Sequence, residues 1–437
     1  MQLHDYQQLL VDKTLQLLLK PKTVKGLRAL IVAVPGSGKT VFAADLIQKL
    51  IQQGNRILFI VDREELVTQT ANKLRAFQLR PGFIKAGYPE TFDRAVQVAS
   101  IQTLSARASW RSLSFDVVIW DEAHTTAFSQ IAQELINKIY FRSHHIGLTG
   151  SPWRNCSQKG LNHIFDHQLN APLPSELIQR KFLVPFRYFT LPSADLETIS
   201  IEDDGDYNPR KLAVVCNKPY LVKHLVQQWH SLAYGHRTIA FAVDIDHSYA
   251  IAKAFEAQNI PSAVVHSQTP KRERQQIYKA LYERKTLILS SCEVLTKGFD
   301  LPDISCVLMA RPTQSKSLYF QMLGRGSRIA PEKSHCLLLD QAGNFNKYGA
   351  LEDLDAEALC MVRSRNRHRA GSERYKQCPI CFEQHRLTQP ICSCGYCFTS
   401  QRQDANAALV EAYPQLMQQL TALKLSTEKL QKIGGLK

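Results

Sequence analysis

Short apolar runs alternate with amphipathic stretches along most of the chain, and that rhythm constrains the fold more than any other feature. LRALIVAV (27–34), RILFIV (56–61), AVQVAS (95–100), FDVVIW (115–120) and HHIGLTG (144–150) read as buried strands. Helical spacing falls between them, near 40–53, 64–79 and 127–139. Strands this short and apolar on both faces belong to parallel sheets covered by helices on two sides. The rhythm lapses over 169–215, where NAPLPSELIQ and IEDDGDYNP carry prolines, acids and glycine, so a linker with room for a small hairpin is expected. It resumes in RTIAFAV (237–243), PSAVVHS (261–267), KTLILSS (285–291), ISCVLMA (304–310) and HCLLLD (335–340). The expected fold class is α/β: two tandem parallel-sheet domains, 1–168 and 216–349. A smaller region follows over 350–401, then a helical tail over 402–437. A length of 437 residues agrees with more than one domain.

One loop gives the first domain a chemistry. AVPGSGKT (33–40) follows the apolar strand and opens a helix, the setting a phosphate-binding loop requires. Gly36 and Gly38, with Pro35 and Ser37, let backbone N–H groups turn inward on a triphosphate, and the helix N-terminus adds its dipole. Lys39 then reaches the β- and γ-phosphates, and Thr40 ligates Mg²⁺. Ala33 stands where the usual pattern has glycine, but the tight turn lies at 36–38. In VIWDEAH (118–124) an apolar strand stops at two acids. Asp121, at the strand's carboxyl end, sits where Mg²⁺ needs a second anchor, and Glu122 is placed to deprotonate the attacking water. ATP hydrolysis is the expected reaction. Trp120, just before the acids, reads as packing.

Composition narrows the partners. A formal charge of +15 favours a polyanion. No stretch approaches the roughly 18 uninterrupted apolar residues of a membrane span. The opening MQLHDYQQLL lacks a basic-then-apolar leader pattern, so a cytoplasmic location is expected. Of eleven cysteines, five crowd into 378–397. CPICF (378–382) and CGYCF (394–398) are two C-x-x-C knuckles, which read as a tetrahedral Zn²⁺ site of Cys378, Cys381, Cys394 and Cys397. Cys392 paired with Cys394 is the alternative second half, and an iron–sulfur cluster is a further alternative. Four arginines in RSRNRHR (363–369) form a basic arm suited to phosphates, or a solvated linker. The tail could pack on the core or meet a protein partner.

The order of the remaining motifs resembles that of the superfamily 2 helicases, in the DEAD/DEAH-box group near the XPB-like and restriction-translocase branches. The resemblance covers roughly residues 1–350. LHDYQ (3–7) resembles the adenine-recognition motif, which gives Gln7 the base, with His4 where the family has arginine. VDREELVTQT (61–70) and SIQTL (100–104) are similar to motifs Ia and Ib, so Arg63, Gln102 and Thr103 become nucleic-acid contacts. LTGSP (148–152) resembles motif III, and IAFAVDIDHS (239–248) motif IV. VLTKGFDLPDI (294–304) resembles motif V, implying Thr296 on nucleic acid and Gly298 and Asp300 at the nucleotide. QMLGRGSR (321–328) resembles motif VI, which implies Gln321, Arg325 and Arg328 facing the γ-phosphate across a cleft. His124 would bridge the ATP site and the second domain.

The resemblance implies two RecA-like domains and agrees with ATP and Mg²⁺ as cofactors, while Zn²⁺ rests on the cysteine spacing. It also implies motion along nucleic acid, DNA rather than RNA, as helicase or duplex translocase. A zinc-bearing nucleic-acid binder switched by ATP is the alternative from another class.

Overall fold

The computed structural model describes residues 3–19, 24–85, 87–88, 91–107, 109–153, 160–203, 205–295, 301, 303–361 and 374–398. Seven strands form the first sheet: β1 (Arg28–Val32), β2 (Ile57–Val61), β3 (Gly82–Ile84), β4 (Val96–Ser100), β5 (Val117–Trp120), β6 (His144–Thr149) and β7 (His167–Asn170). Their order is β3-β4-β2-β5-β6-β1-β7, and every pairing is parallel. The second sheet holds β8 (Phe186–Thr190), β9 (Thr238–Phe241), β10 (Ser262–Val265), β11 (Ile288–Ser291), β12 (Cys306–Met309) and β13 (Cys336–Asp340), also parallel, in the order β10-β11-β9-β12-β13-β8. A hairpin of β14 (Tyr375–Gln377) and β15 (Gln384–Arg386) follows. Among the described residues no helix is long and apolar enough to cross a membrane.

Each sheet is apolar on both faces because helices cover both. Helices Asp5–Leu18, Lys39–Gln52 and Glu64–Ala76 close one face of the first sheet over Ile31, Phe59 and Ile119. Helices Pro219–Leu232 and Ile245–Glu256 do the same for the second over Ala240, Leu308 and Leu339. Polar caps set where several helices start. Ser100, Ser129, Asn208, Asp244 and Ser315 each accept a backbone N–H from three residues on. Trp120 is fully buried and donates Nε1–H to His145 Nδ1 at 3.2 Å, a packing role.

The stretch expected as a linker contributes to both sheets. His167–Asn170 pairs with β1, across the boundary expected at 168/169, and Phe186–Thr190 pairs with β13 as an edge of the second sheet. The prolines are absorbed at helix starts: Pro174 opens Pro174–Gln179 and Pro209 opens Pro209–Cys216. The acidic loop is closed by a bridge from Ile201 to Tyr207, and Asp206 accepts bonds from Thr313 Oγ1 and Gln314 N, both at 2.6 Å. One apolar cluster consequently runs from Leu30, Leu58 and Val118 through Leu183 and Phe186 to Ile239, Val307 and Leu338. After β13 the chain turns back to the first domain. Trp153 Nε1 donates to Ala358 O at 2.6 Å, and Gln168 bonds both Leu359 O and Met361 N.

Candidate active site between the two sheets

The strand ends bring the nucleotide residues together. Gly36 (φ +91°) and Gly38 (φ +80°) hold the left-handed backbone that curls the loop after β1, and Ser37 Oγ donates to Val34 O at 2.6 Å to tighten it. Lys39 begins the helix, and its Nζ rests against Ala33 O at 3.2 Å. Asp121 follows β5, two strands from β1 across β6. Glu122, at φ +46°, is a non-glycine residue held in the left-handed region by the fold. Between them β6 is followed by Gly150, where a Cβ would lie 2.7 Å from Lys39 Nζ and 3.1 Å from Pro35. Glycine there leaves room for the lysine.

The second sheet supplies the other wall. Helix Lys316–Leu323 carries Gln321, and the turn after it carries Arg325 and Arg328. A cavity of about 460 Å³ is lined by Pro35, Gly36, Gly38, Lys39, Thr40, Asp121 and Glu122 from one side and by Gln321, Gly324, Arg325 and Arg328 from the other. Three cations (Lys39, Arg325 and Arg328) face two carboxyls around the loop, a balance suited to a polyphosphate, and a fourth, Lys73, lines the cavity farther off, from helix Glu64–Ala76. Burial pushes the Asp121 carboxyl up to about 6, with Glu122 adding to the rise and Lys39 opposing it. A cation bound there would relieve that penalty, so the donor set fits Mg²⁺ at Thr40 and Asp121.

His124 ties the two walls. Its Nδ1 meets Thr149 Oγ1 at 2.9 Å and Glu122 Oε2 at 3.4 Å, and its Nε2 meets Ser317 Oγ at 3.1 Å and Gln321 Nε2 at 3.4 Å. The proton count assigns the tautomer. Thr149 spends its hydroxyl proton on Ser151 O at 2.8 Å, so it accepts from His124 Nδ1–H, and Nε2 is left to accept from Ser317. Ser151 Oγ and Ser317 Oγ lie 2.6 Å apart, closing a buried network across the domain seam. The motif order brought Gln321 to this place. Ser151 lies within the LTGSP motif, which the resemblance left without a residue role, and Ser317 had no signal of its own, since serine within a helix is common.

Two expected residues sit otherwise. Gln7 does not line the cavity. Its Oε1 accepts His4 N–H at 3.0 Å in a capping box, and its Nε2 donates to Ser37 O at 3.2 Å, beneath the loop. Tyr6 OH makes a second bond to Ser37 O at 2.7 Å, a contact that motif reading missed. Thr103 is buried at 8% exposure and its hydroxyl lies 2.9 Å from Ser100 Oγ, so it serves the helix start rather than an outer surface. Arg63 and Gln102 are exposed, and Gln102 donates to Asp62 O at 2.6 Å beside Arg63. Thr296, Gly298 and Asp300 lie outside the described residues, as do the 363–369 arm and the 402–437 tail.

The cysteines correct the expected set. Cys378, Cys381, Cys392 and Cys394 converge, with their thiols all within 4.8 Å of one another, and Cys397 is not among them. Sγ–Sγ separations are 3.6 Å for Cys378–Cys394, and 3.4 Å for both Cys381–Cys392 and Cys392–Cys394. Four thiolates at about 2.3 Å from a tetrahedral Zn²⁺ would stand about 3.8 Å apart, so the set fits with a slight expansion. The reason is the turn. Cys392 N–H bonds Tyr396 O at 2.7 Å and Gly395 takes φ +94°, so Cys392 and Cys394 both meet the first pair while Cys397 bridges back to Ile391. His385 Nε2 meets Cys392 Sγ at 3.1 Å. Beside it Glu383 is buried and engaged by Arg187 at 2.8 and 3.0 Å, which docks the knuckle onto β8.

Two family models match this chain, one in each sheet-forming part. The family described as "Type III restriction enzyme, res subunit" matches residues 1–154, and "Helicase conserved C-terminal domain" matches 218–330. A 51.5 kDa protein of a Lactococcus phage (isolate 7-9) is 25% identical over 407 residues, covering 92% of this chain and 85% of its own. The Saccharomyces cerevisiae putative ATP-dependent helicase IRC3 is 30% identical over 365 residues, 78% of this chain. This chain spans only 51% of that relative's length. Among solved structures, a fragment of a putative HsdR subunit of a type I restriction enzyme from Vibrio vulnificus YJ016 superposes with TM-score 0.61 at 23% identity. That match covers 79% of this chain and 66% of the fragment, and it shares the fold.

Proposed function

The chain is a superfamily 2 helicase and hydrolyses ATP, and from that premise we propose that it is a DNA-directed translocase or helicase driven by closure of the cleft between its sheets. The observation that carries the reading is the split of one cavity between Lys39, Asp121 and Glu122 on one sheet and Gln321, Arg325 and Arg328 on the other. With ATP on the loop, Glu122 takes the proton of a water whose oxygen bonds the γ-phosphorus as the β,γ-bridging P–O bond breaks. Lys39, Arg325 and Arg328 neutralise the charge spread over the equatorial oxygens, an effect worth about 10³–10⁵ in rate for such arginines elsewhere. Thr40 and Asp121 would hold Mg²⁺, which supplies charge neutralisation at the phosphates. His124 positions Glu122 only while Ser317 and Gln321 of the other sheet bond it, so hydrolysis and domain closure are linked.

DNA is favoured by the restriction-enzyme description of the matching family and by the resemblance of the motif set. Arg63 and Gln102, exposed together at the carboxyl ends of the first sheet's strands, are the proposed strand contacts. The four converging thiols are proposed as a structural Zn²⁺ site that stiffens the module on β8. ATP turnover should be measured alone and with single-stranded DNA, duplex DNA and single-stranded RNA at one salt concentration. Stimulation by DNA that Glu122→Gln abolishes is the expected result. Turnover indifferent to every polymer would overturn the motor reading, and stimulation by RNA alone would overturn the choice of DNA.

A further inference from the structure

The nucleotide cavity is longer than its phosphate-binding residues require. Besides the loop, Asp121 and Glu122, it is lined by Leu66, Gln69, Thr70, Lys73 and Ala76 of helix Glu64–Ala76 and by Phe77 just after it, and we call this part of the cavity its arm. The spacing of 66, 69, 70 and 73 is that of a single helical face. Gln69 and Lys73 are exposed, so this arm opens to solvent. It lies on the opposite flank of the loop from Gln7. Helix Asp5–Leu18 contacts the loop's helix on the β7 side, and helix Glu64–Ala76 contacts it on the β2 and β4 side. The resemblance to the adenine-recognition motif puts the base on the Gln7 flank of the loop, where Gln7 itself bonds Ser37 O beneath the loop, and that leaves the arm on the other flank without an occupant.

We infer that this arm is a binding and exit site for inorganic phosphate, the product of hydrolysis, with Lys73 as its cation. The inference rests on the ATPase reading of the same cavity. After the β,γ-bond breaks, ADP still fills the loop behind the departing phosphate. The seam between the sheets closes another side. A Cβ on Gly324 would lie 2.2 Å from Pro35 Cβ, and one on Gly36 would lie 2.5 Å from Ser327 Oγ and 3.0 Å from Leu183. The arm is what remains, and its lining suits a dianion. Lys73 offers the charge, Thr70 and Gln69 offer hydrogen bonds, and Asp121 and Glu122 at its inner end repel the product outward.

The test uses the full chain with ATP and saturating nucleic acid, reading hydrolysis by chemical quench and release by a fluorescent phosphate sensor. In Lys73→Met, release should fall behind hydrolysis by roughly tenfold, the scale of one charge–phosphate contact. A burst of about one phosphate per site should appear, with KM for ATP unchanged. Lys73→Glu should slow release further. Lys73 is exposed, so neither variant is expected to disturb folding. Release that keeps pace with hydrolysis in both variants would overturn the inference, as would a raised KM with normal release, which would put nucleotide in the arm. Either failure leaves the ATPase reading standing so long as Glu122→Gln still abolishes turnover. A Glu122→Gln chain that hydrolyses ATP normally would instead sink the reading of the cavity itself.

Discussion

In two histidines outside the cavity's lining, burial outweighs the neighbouring groups in setting protonation. His145 donates Nε2–H to Tyr140 O at 2.9 Å and accepts from Trp120, while His247 stands behind the Asp244 helix cap. Burial lowers each to about 4, so the fold holds both neutral. Above the ordinary imidazole range folded and unfolded chains agree in protonation, and nothing is lost. As pH falls from about 6.5 towards 4 the unfolded chain takes up protons that the folded one refuses, and stability declines by up to about 3 kcal/mol per histidine. Denaturant midpoints at pH 7, 5.5 and 4 should fall accordingly. His145→Gln should start lower at pH 7 yet lose less on acidification, and parallel curves for the two proteins would refute the assignment.

At the scale of elements, the cysteine knuckle and the edge strand β8 stand or fall together. Chain spacing identifies Cys378 and Cys381, because a C-x-x-C turn places both thiols on one side regardless of context. It does not choose the second pair, since Cys392, Cys394 and Cys397 are all near enough along the chain. The turn closed by Cys392 N–H and Tyr396 O makes that choice. Purified protein should contain one Zn²⁺ per chain. Cys392→Ser should lose the metal and Cys397→Ser should retain it, as read by atomic absorption after dialysis, and the reverse pattern would restore the C-x-x-C pairing. Arg187→Ala would leave the buried Glu383 carboxylate without its bidentate partner. Arg187 is 42% exposed, so about 1–2 kcal/mol of destabilisation is expected, located at the knuckle and read as earlier proteolysis there.

Across the whole molecule, function depends on how closely two sheets approach. Gly324 lies against Pro35, and Ser327 Oγ reaches Pro35 O at 3.5 Å, so the turn carrying Arg325 and Arg328 rests on the phosphate loop. Gly324→Ala must push the seam apart, for Pro35 is backbone-fixed and cannot yield. ATP turnover should fall by more than about tenfold while the thermal midpoint shifts by only a few degrees, because neither sheet's own core contains the contact. Turnover unchanged in this variant would mean that hydrolysis proceeds without the seam seen here.

What the sequence determined by itself is what local chemistry encodes. Strand and helix alternation, the glycine turn at 36–38 and the carboxyls after β5 follow from period, spacing and residue type, and the glutamine and arginines at 321–328 from the resemblance to a helicase motif. Those features sufficed for the fold class and for most of the cavity's residues. Tertiary structure decided whatever depends on meeting across the chain. It made Phe186–Thr190 an edge of the second sheet, because a strand needs a partner that local pattern cannot name. It gave Gln7 to the underside of the loop, seated His124 between Ser317 and Thr149, and turned the face of helix Glu64–Ala76 that bears Lys73 towards the cavity. Short-range order is a property of neighbouring residues, whereas these contacts join positions up to nearly two hundred residues apart, which only the packed fold brings within bonding distance.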